Sequence, residues 1–260
     1  MSKRSSLASS PARFLLPALA ALALGGCQTT SLEDVTGALG VSSKPETAAT
    51  ADVRPDMDGL RERYRAKPSD PNIALDYGKA LRETGQRAQA VAVMEQAVLL
   101  HPSNKALLAG YGRALADNGN FQQAFDVLSR AHTPEDPDWH ILSAQGAVLD
   151  QLGRNEEAQQ YYATALKIVP DEPSVLSNLG LSYALQNNLP RAEETMRRAF
   201  ARDSANPRVR ANLALVLGLE GKQGEAETVV RADLPPDQAA AKVTALRQLL
   251  SKKQQQRAEK

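Results

Sequence analysis

The chain has 260 residues, with 31 lysines and arginines against 30 aspartates and glutamates, 42% hydrophobic residues, 4% aromatic residues and one cysteine. A net charge of +1 and so few rings exclude a broad electrostatic footprint for nucleic acid and a stacking platform for unpaired bases. The single cysteine excludes a disulfide framework and any cysteine-rich zinc site.

The first segment reads as an address. Lys3, Arg4 and Arg13 precede the apolar run Phe14 to Leu24, and no acidic residue interrupts them. Eleven residues at about 1.5 Å each cover roughly 16 Å, about half of a hydrocarbon core. A removable signal peptide over residues 1–26 is therefore expected in place of a permanent span. The tetrapeptide Leu24-Gly25-Gly26-Cys27 contains the chain's one cysteine and resembles the lipobox of bacterial lipoproteins. That resemblance implies a cleavage motif at Leu24, Gly25 and Gly26, and lipidation of the Cys27 thiol. Two or more acyl chains, at about 0.8 kcal/mol per buried CH₂, exceed what stable anchoring requires. Gln28 follows the cysteine where an aspartate is the familiar inner-membrane retention signal. The family pattern thus implies an outer-membrane, lipid-anchored, periplasm-facing protein. Loss of residues 1–26 leaves 28 basic against 30 acidic residues, a net charge of −2.

Residues 27–55 are expected to be the lipidated cysteine and a flexible linker. Thr, Ala, Ser, Gly and Val dominate it without a sustained apolar period, so it buries too little surface to offset its ordering entropy. A coil of this length reaches roughly 30 Å. Leu32, Val35, Leu39 and Val41 have the spacing of a short helical turn that a partner could induce.

From there a period of 34 takes over. Gly78, Gly112, Gly146 and Gly180 are each 34 residues apart, as are Ala90, Ala124, Ala158 and Ala192, and Ala97, Ala131, Ala165 and Ala199. Gly85, Gly119, Gly153, Asn187 and Gly221 mark a fourth column of residues that tolerate the positive φ needed between helices. This pattern resembles the tetratricopeptide (TPR) repeat. The implied fold is all-α, a TPR-like superhelical solenoid of antiparallel helix pairs, about five 34-residue units plus a C-terminal capping helix. The units are 71–104, 105–138, 139–172, 173–206 and 207–233, after a capping segment at 56–70. Small residues at unit positions 8 and 20 are expected where the two backbones of a pair cross closely, and the alanines of position 27 where the next unit packs. Leu81, Leu115, Leu149, Tyr183 and Leu217 at position 11, and Met94, Leu128, Tyr162, Met196 and Val230 at position 24, are expected core. Leu234-Pro235-Pro236-Asp237 stops the fifth unit, and a last helix at about 237–251 carries Ala240, Val243, Leu246, Leu249 and Leu250 on one face. A polar tail, 252–260, completes the chain.

Chemistry-bearing constellations do not emerge. His101, His132 and His140 form no H-x-x-x-H pattern, and no P-loop, G-x-S-x-G or G-x-G-x-x-G is present. No catalytic residue, metal or cofactor is expected. Glu156-Glu157 and Glu193-Glu194 are expected at the starts of second helices, where carboxylates complement the helix dipole. The TPR resemblance instead implies a concave groove lined by the first helices. The expected lining includes Asn72, Lys79, Arg82, Arg113, His140, Asp150, Ser177, Leu181, Arg208 and Leu215. It is charged at one end and apolar at the other, a receptor for an amphipathic helix or an extended peptide.

The stretches Asn206 to Gly221 and Arg231 to Leu250, with Ala-Asp-Leu-Pro-Pro at their centre, resemble the C-terminal end of the TadD-type TPR lipoproteins of tight-adherence (Flp/Tad) pilus systems. That likeness implies a non-enzymatic pilus-assembly scaffold, a pilotin-like factor whose partner is the secretin or another pilus component. The alternative is a periplasmic TPR lipoprotein adaptor for envelope assembly, or for a protease or cell-wall enzyme.

Overall fold

The computed structural model describes residues 56–258 apart from Asp233. The expected signal peptide, Leu24-Gly25-Gly26-Cys27 and the linker lie outside the described residues. Twelve α-helices and no strand occur among the described residues, save one isolated bridge between Thr133 and Asp136. They are α1 (Met57–Ala66), α2 (Pro71–Glu83), α3 (Arg87–Leu100), α4 (Lys105–Asp117), α5 (Phe121–Leu128) and α6 (Trp139–Gln151). These are followed by α7 (Asn155–Ile168), α8 (Pro173–Leu185), α9 (Leu189–Arg202), α10 (Pro207–Leu219), α11 (Gln223–Arg231) and α12 (Pro236–Ala258). The chain is an all-α solenoid. Each helix packs on the next, and the first helices α2, α4, α6, α8 and α10 also touch in sequence.

Two repeated devices set the helix boundaries. Asp70, Asn104, Asp138, Glu172 and Asn206, again 34 residues apart, accept backbone N–H bonds at the N-termini of the five first helices. Each such cap contributes about 1 kcal/mol. At the other end, Gly85, Gly119, Gly153, Asn187 and Gly221 have φ between 59° and 85°. The following residue then donates its N–H back to position 11: Gln86 to Leu81 O at 2.8 Å, and Asn120, Arg154, Asn188 and Lys222 to their counterparts at 2.9 Å. This six-to-one bond closes the first helix and turns the chain directly into the second.

The small-residue columns are buried as the periodicity requires, with Ala90, Ala124, Ala158 and Ala192 fully inaccessible. Their geometry corrects the expected reason for the glycines. A Cβ on Gly78, Gly112, Gly146 or Gly180 would meet, first, the side chain of Met94, Leu128, Tyr162 or Met196, at 2.3–2.9 Å. At Gly112 a backbone atom of the partner helix, Ala124 O, also lies within 3.3 Å. Position 8 is small because the large residue at position 24 inserts there.

The second unit is irregular. α5 has 8 residues where α3, α7 and α9 have 14. Ala131 is still buried but lies beyond the helix end, in the segment that carries Pro134 and Pro137. His132 lies in the same segment and hydrogen-bonds Gln145 Oε1 at 2.9 Å. Glu156 and Glu157 occupy the first turn of α7, whereas Glu193 and Glu194 fall beyond the first turn of α9. Glu193 instead pairs with Arg197 at 2.7 Å and with Lys222 of the next unit.

The solenoid is closed at both ends. α1 packs on α2 through Leu60 and through the Tyr64 and Tyr77 rings, 5.3 Å apart. α12 packs on α11 and α10, the contacts that a sixth first helix would make. It runs past the expected 251 to Ala258, and the buried alanine is Ala239, with Ala240 exposed. Ala239 stands four residues before Val243, one helical turn back on the same face.

Candidate functional site

The first helices of units one to five border a recess of about 490 Å³. Arg82 enters from α2, Arg113 from α4, His140 and Gln151 from α6, Ser174 and Asn178 from α8, and Arg208 from α10. Apolar and small side chains between them include Ala116, Phe121, Trp139, Ala144, Ala147 and Val148. The regular 34-residue step brings equivalent faces of successive helices side by side, so residues far apart in sequence share one wall.

Most polar groups at this wall are committed to each other. Arg82 Nε donates to Asp117 Oδ2 at 2.6 Å, joining units one and two. Asn178 donates to Ser143 Oγ at 3.2 Å, and the Ser174 hydroxyl donates to Glu172 at 2.8 Å. His140 stacks on Trp139 with ring centroids 3.6 Å apart, and its Nδ1 lies 3.1 Å from Asp138 Oδ1. The guanidiniums of Arg113 and Arg208 make no hydrogen bond or ion pair among the described residues. The Arg113 pKa is held below the usual value, first by burial and next by the charge of Arg82.

The hydroxyls that line it are engaged locally: Ser174 donates to Glu172, the cap of its own helix, and Tyr162 to the buried Asp150. Among the described residues no group of three or more His, Cys, Asp or Glu side chains is placed to hold a metal ion, and no helix is long and apolar enough to cross a membrane. What this wall offers is shape, charge and donors, the elements of peptide recognition.

The model of the tetratricopeptide repeat matches residues 75–138 and 143–207, and a second model of the same description matches residues 207–232. The chain belongs to the tetratricopeptide repeat family. No curated protein matches it. Among solved structures it is similar to TTC0263, a thermophilic TPR protein of Thermus thermophilus, at 21% identity and a TM-score of 0.60, covering 68% of this chain and 99% of that one. A TPR protein from Parabacteroides merdae is similar at 16% identity and a TM-score of 0.59, covering 76% of this chain and 78% of that one. At these identities the likeness concerns the fold.

The TPR frame explains where each expected groove residue lies. Arg82, Arg113, His140 and Arg208 border the recess. Asn72 and Lys79 are exposed on α2 outside it, Lys79 facing Glu83 at 3.9 Å. Four expected lining residues are structural instead. Asp150 is buried and accepts from Asn155 at 2.7 Å, from Tyr162 at 2.9 Å and from Ser182 at 2.7 Å. Burial raises its pKa against the opposing pull of those bonds. Ser177 is buried and accepts from Asn212 at 2.9 Å. Leu181 and Leu215 belong to one core cluster with Met196 and Leu213.

The burial of Ser177 has a specific cause. Positions 5 and 6 form the joint between neighbouring first helices, seen in the Ser143–Asn178 and Ser177–Asn212 bonds and in a Gly110 Cβ that would lie 2.9 Å from Leu75. Ser177 is therefore mortar between units. Trp139, Ala144 and Asn178 are absent from the expected lining. They stand at unit positions 1 and 6, and their alignment with His140 and Ser143 is the signal that could have placed them.

Proposed function

We propose that this chain is a non-enzymatic, membrane-tethered TPR scaffold whose concave recess takes a segment of a partner protein. The observation that carries this reading is the recess itself, bordered by five first helices, with the Arg113 and Arg208 guanidiniums free of ion pairs among the described residues. The tether rests on Cys27 directly after an apolar run and two glycines. With the flexible linker that the sequence leads one to expect between Cys27 and α1, the tether has a reach of roughly 30 Å, and a captured partner is held at raised effective concentration near the bilayer.

The finer assignment is tight-adherence pilus assembly at the outer membrane, with the secretin or another pilus component as partner and a pilotin-like role. Its support is the likeness of residues 206–221 and 231–250 to the TadD-type lipoproteins. Affinity capture of the full-length chain from native membranes, beside a Cys27→Ser control, tests both levels. Recovery of a secretin or pilus protein is expected, with loss of membrane association in the control. Recovery of a protease, a cell-wall enzyme or barrel-insertion machinery without pilus proteins would remove the pilus assignment. A Cys27→Ser chain that stays in the membrane fraction would remove the anchor.

A further inference from the structure

The recess carries an imbalance that the scaffold reading leaves unused. Arg82, Arg113 and Arg208 line it against one lining carboxylate, Asp117. Asp117 is already bound by Arg82 at 2.6 Å. Asp138, at the rim, caps α6 by accepting from His140 N at 2.8 Å and faces the His140 ring. Neither acid makes an ion pair with Arg113, and both act on it only at longer range. Arg208 extends from the far wall with no ion pair among the described residues. A half-buried guanidinium with no protein partner leaves its donors to water, which an anion entering the recess would replace. Its planar fork of donors matches a carboxylate in two-point geometry.

The surroundings define the rest of the ligand. Ala116, Ala147, Val148 and Trp139 line the same recess as Arg113, an apolar lining that suits aliphatic side chains between the carboxylates. The cations are spread over α2, α4 and α10 along the wall, so the complementary charge belongs to a segment lying through the groove. We propose that the recess recognises an acidic-aliphatic internal segment of a partner protein, with an Asp or Glu side chain paired to Arg113 and further acids toward Arg82 and Arg208. This rests on the scaffold reading above and names the chemistry of its partner.

The test uses the full-length chain in detergent micelles and a fluorescent 12-residue peptide alternating Glu and Leu, acetylated and amidated so that no terminal charge contributes. Its Gln-for-Glu counterpart is the control, and binding is read by anisotropy. The Glu peptide should bind about tenfold to a hundredfold more tightly than the Gln peptide, the range expected for hydrogen bonds to a charged group. Arg113→Gln should abolish that discrimination, and Arg113→Lys should restore part of it. Retained helical circular dichroism excludes unfolding as the cause, and Arg63→Gln on α1 controls for net charge. Equal affinity for the two peptides, discrimination preserved in Arg113→Gln, or no binding of the Glu peptide would each overturn the proposal. In those cases partner capture from membranes can still succeed, so the scaffold reading fails only by its own test. Displacement of the probe by a peptide of residues 28–55, or by self-association of the chain, would make the occupant this protein's own and overturn the assignment to a partner.

Discussion

One and the same unit position meets open surface or the recess in the N-terminal half of the array and core in the C-terminal half. Position 9 is the clearest case. Lys79 is exposed and Arg113 borders the recess, whereas Leu181 and Leu215 are 5% and 2% exposed. The difference follows from what covers the helix. α10 has ten consecutive buried residues, Val209 to Gly218, because α8, α9, α11 and α12 all contact it. A repeat position therefore specifies a direction on a helix. Whether that direction meets solvent, a ligand or core is decided by the neighbouring elements.

The sharpest way to break this comparison is to remove the cover. Deleting residues 236–260 strips Val243, Leu246, Leu249 and Leu250 from the C-terminal core. At about 1.5–3 kcal/mol per buried side chain, less the entropy of ordering α12, the C-terminal units should lose on the order of 5 kcal/mol. Hydrogen exchange should show α10 losing protection while α2 and α4 keep theirs. Unchanged protection in α10 would mean that α12 is an accessory and that the C-terminal core closes without it.

A smaller perturbation compares one unit position across the halves. Leu215→Ala removes a buried side chain and should cost about 2–5 kcal/mol. Lys79→Ala, at the same unit position on an exposed face, should stay within about 0.5 kcal/mol. Urea denaturation measures both. Equal costs would show that position 9 has one structural role throughout the array.

The glycines of position 8 divide the array in another way, by the stiffness of the inserted neighbour. A Cβ on Gly146 would lie 2.6 Å from the Tyr162 ring, whose hydroxyl is held by Asp150 at 2.9 Å. A Cβ on Gly78 would meet the terminal methyl of Met94, which can swing aside. Gly146→Ala should cost about 1–3 kcal/mol by overpacking. Gly78→Ala should fall within about 1 kcal/mol of neutral, because the helix-propensity gain opposes the strain. Matched thermal melts would check the pair.

The fold was legible because close packing of a repeated unit leaves a periodic record. The Gly and Ala columns and the positive-φ column fall where the structure has them, and position 24 is core as expected. The capping column Asp70, Asn104, Asp138, Glu172 and Asn206 has the same period. It is harder to see because three residue types fill it, all able to accept the same N–H. The site was only partly legible. Arg82, Arg113, His140 and Arg208 fall at the recess, but a period carries no information about which faces a terminal helix covers or which polar residues pair with each other. Asp150 and Ser177 look like ligand groups in sequence, and only their partners Tyr162, Ser182 and Asn212 reveal them as joints between and within units.

The smallest expected effect separates the halves by pH. In the C-terminal half, Glu193 is held at about 2, chiefly by the hydrogen bond from Lys222 and with help from Arg197. Its folded value lies below its ordinary 4.5, so its contribution is complete above that value and is lost as the pH falls toward 2. Asp150, between the third and fourth units, has the opposite sign. Burial raises it above 3.8, so its ionised form disfavours folding, and that penalty is relieved as the pH falls through its folded value toward 3.8. Glu193→Gln should lower stability at pH 6 by no more than about 1 kcal/mol, as for a partly exposed ion pair. The gap from the unsubstituted chain should close by pH 3 to 2. Asp150→Asn should change the pH slope just above pH 3.8 in the other direction. Thermal melts between pH 2 and 7 distinguish the two. Parallel slopes for both variants would show that neither carboxylate carries the acid response of its half.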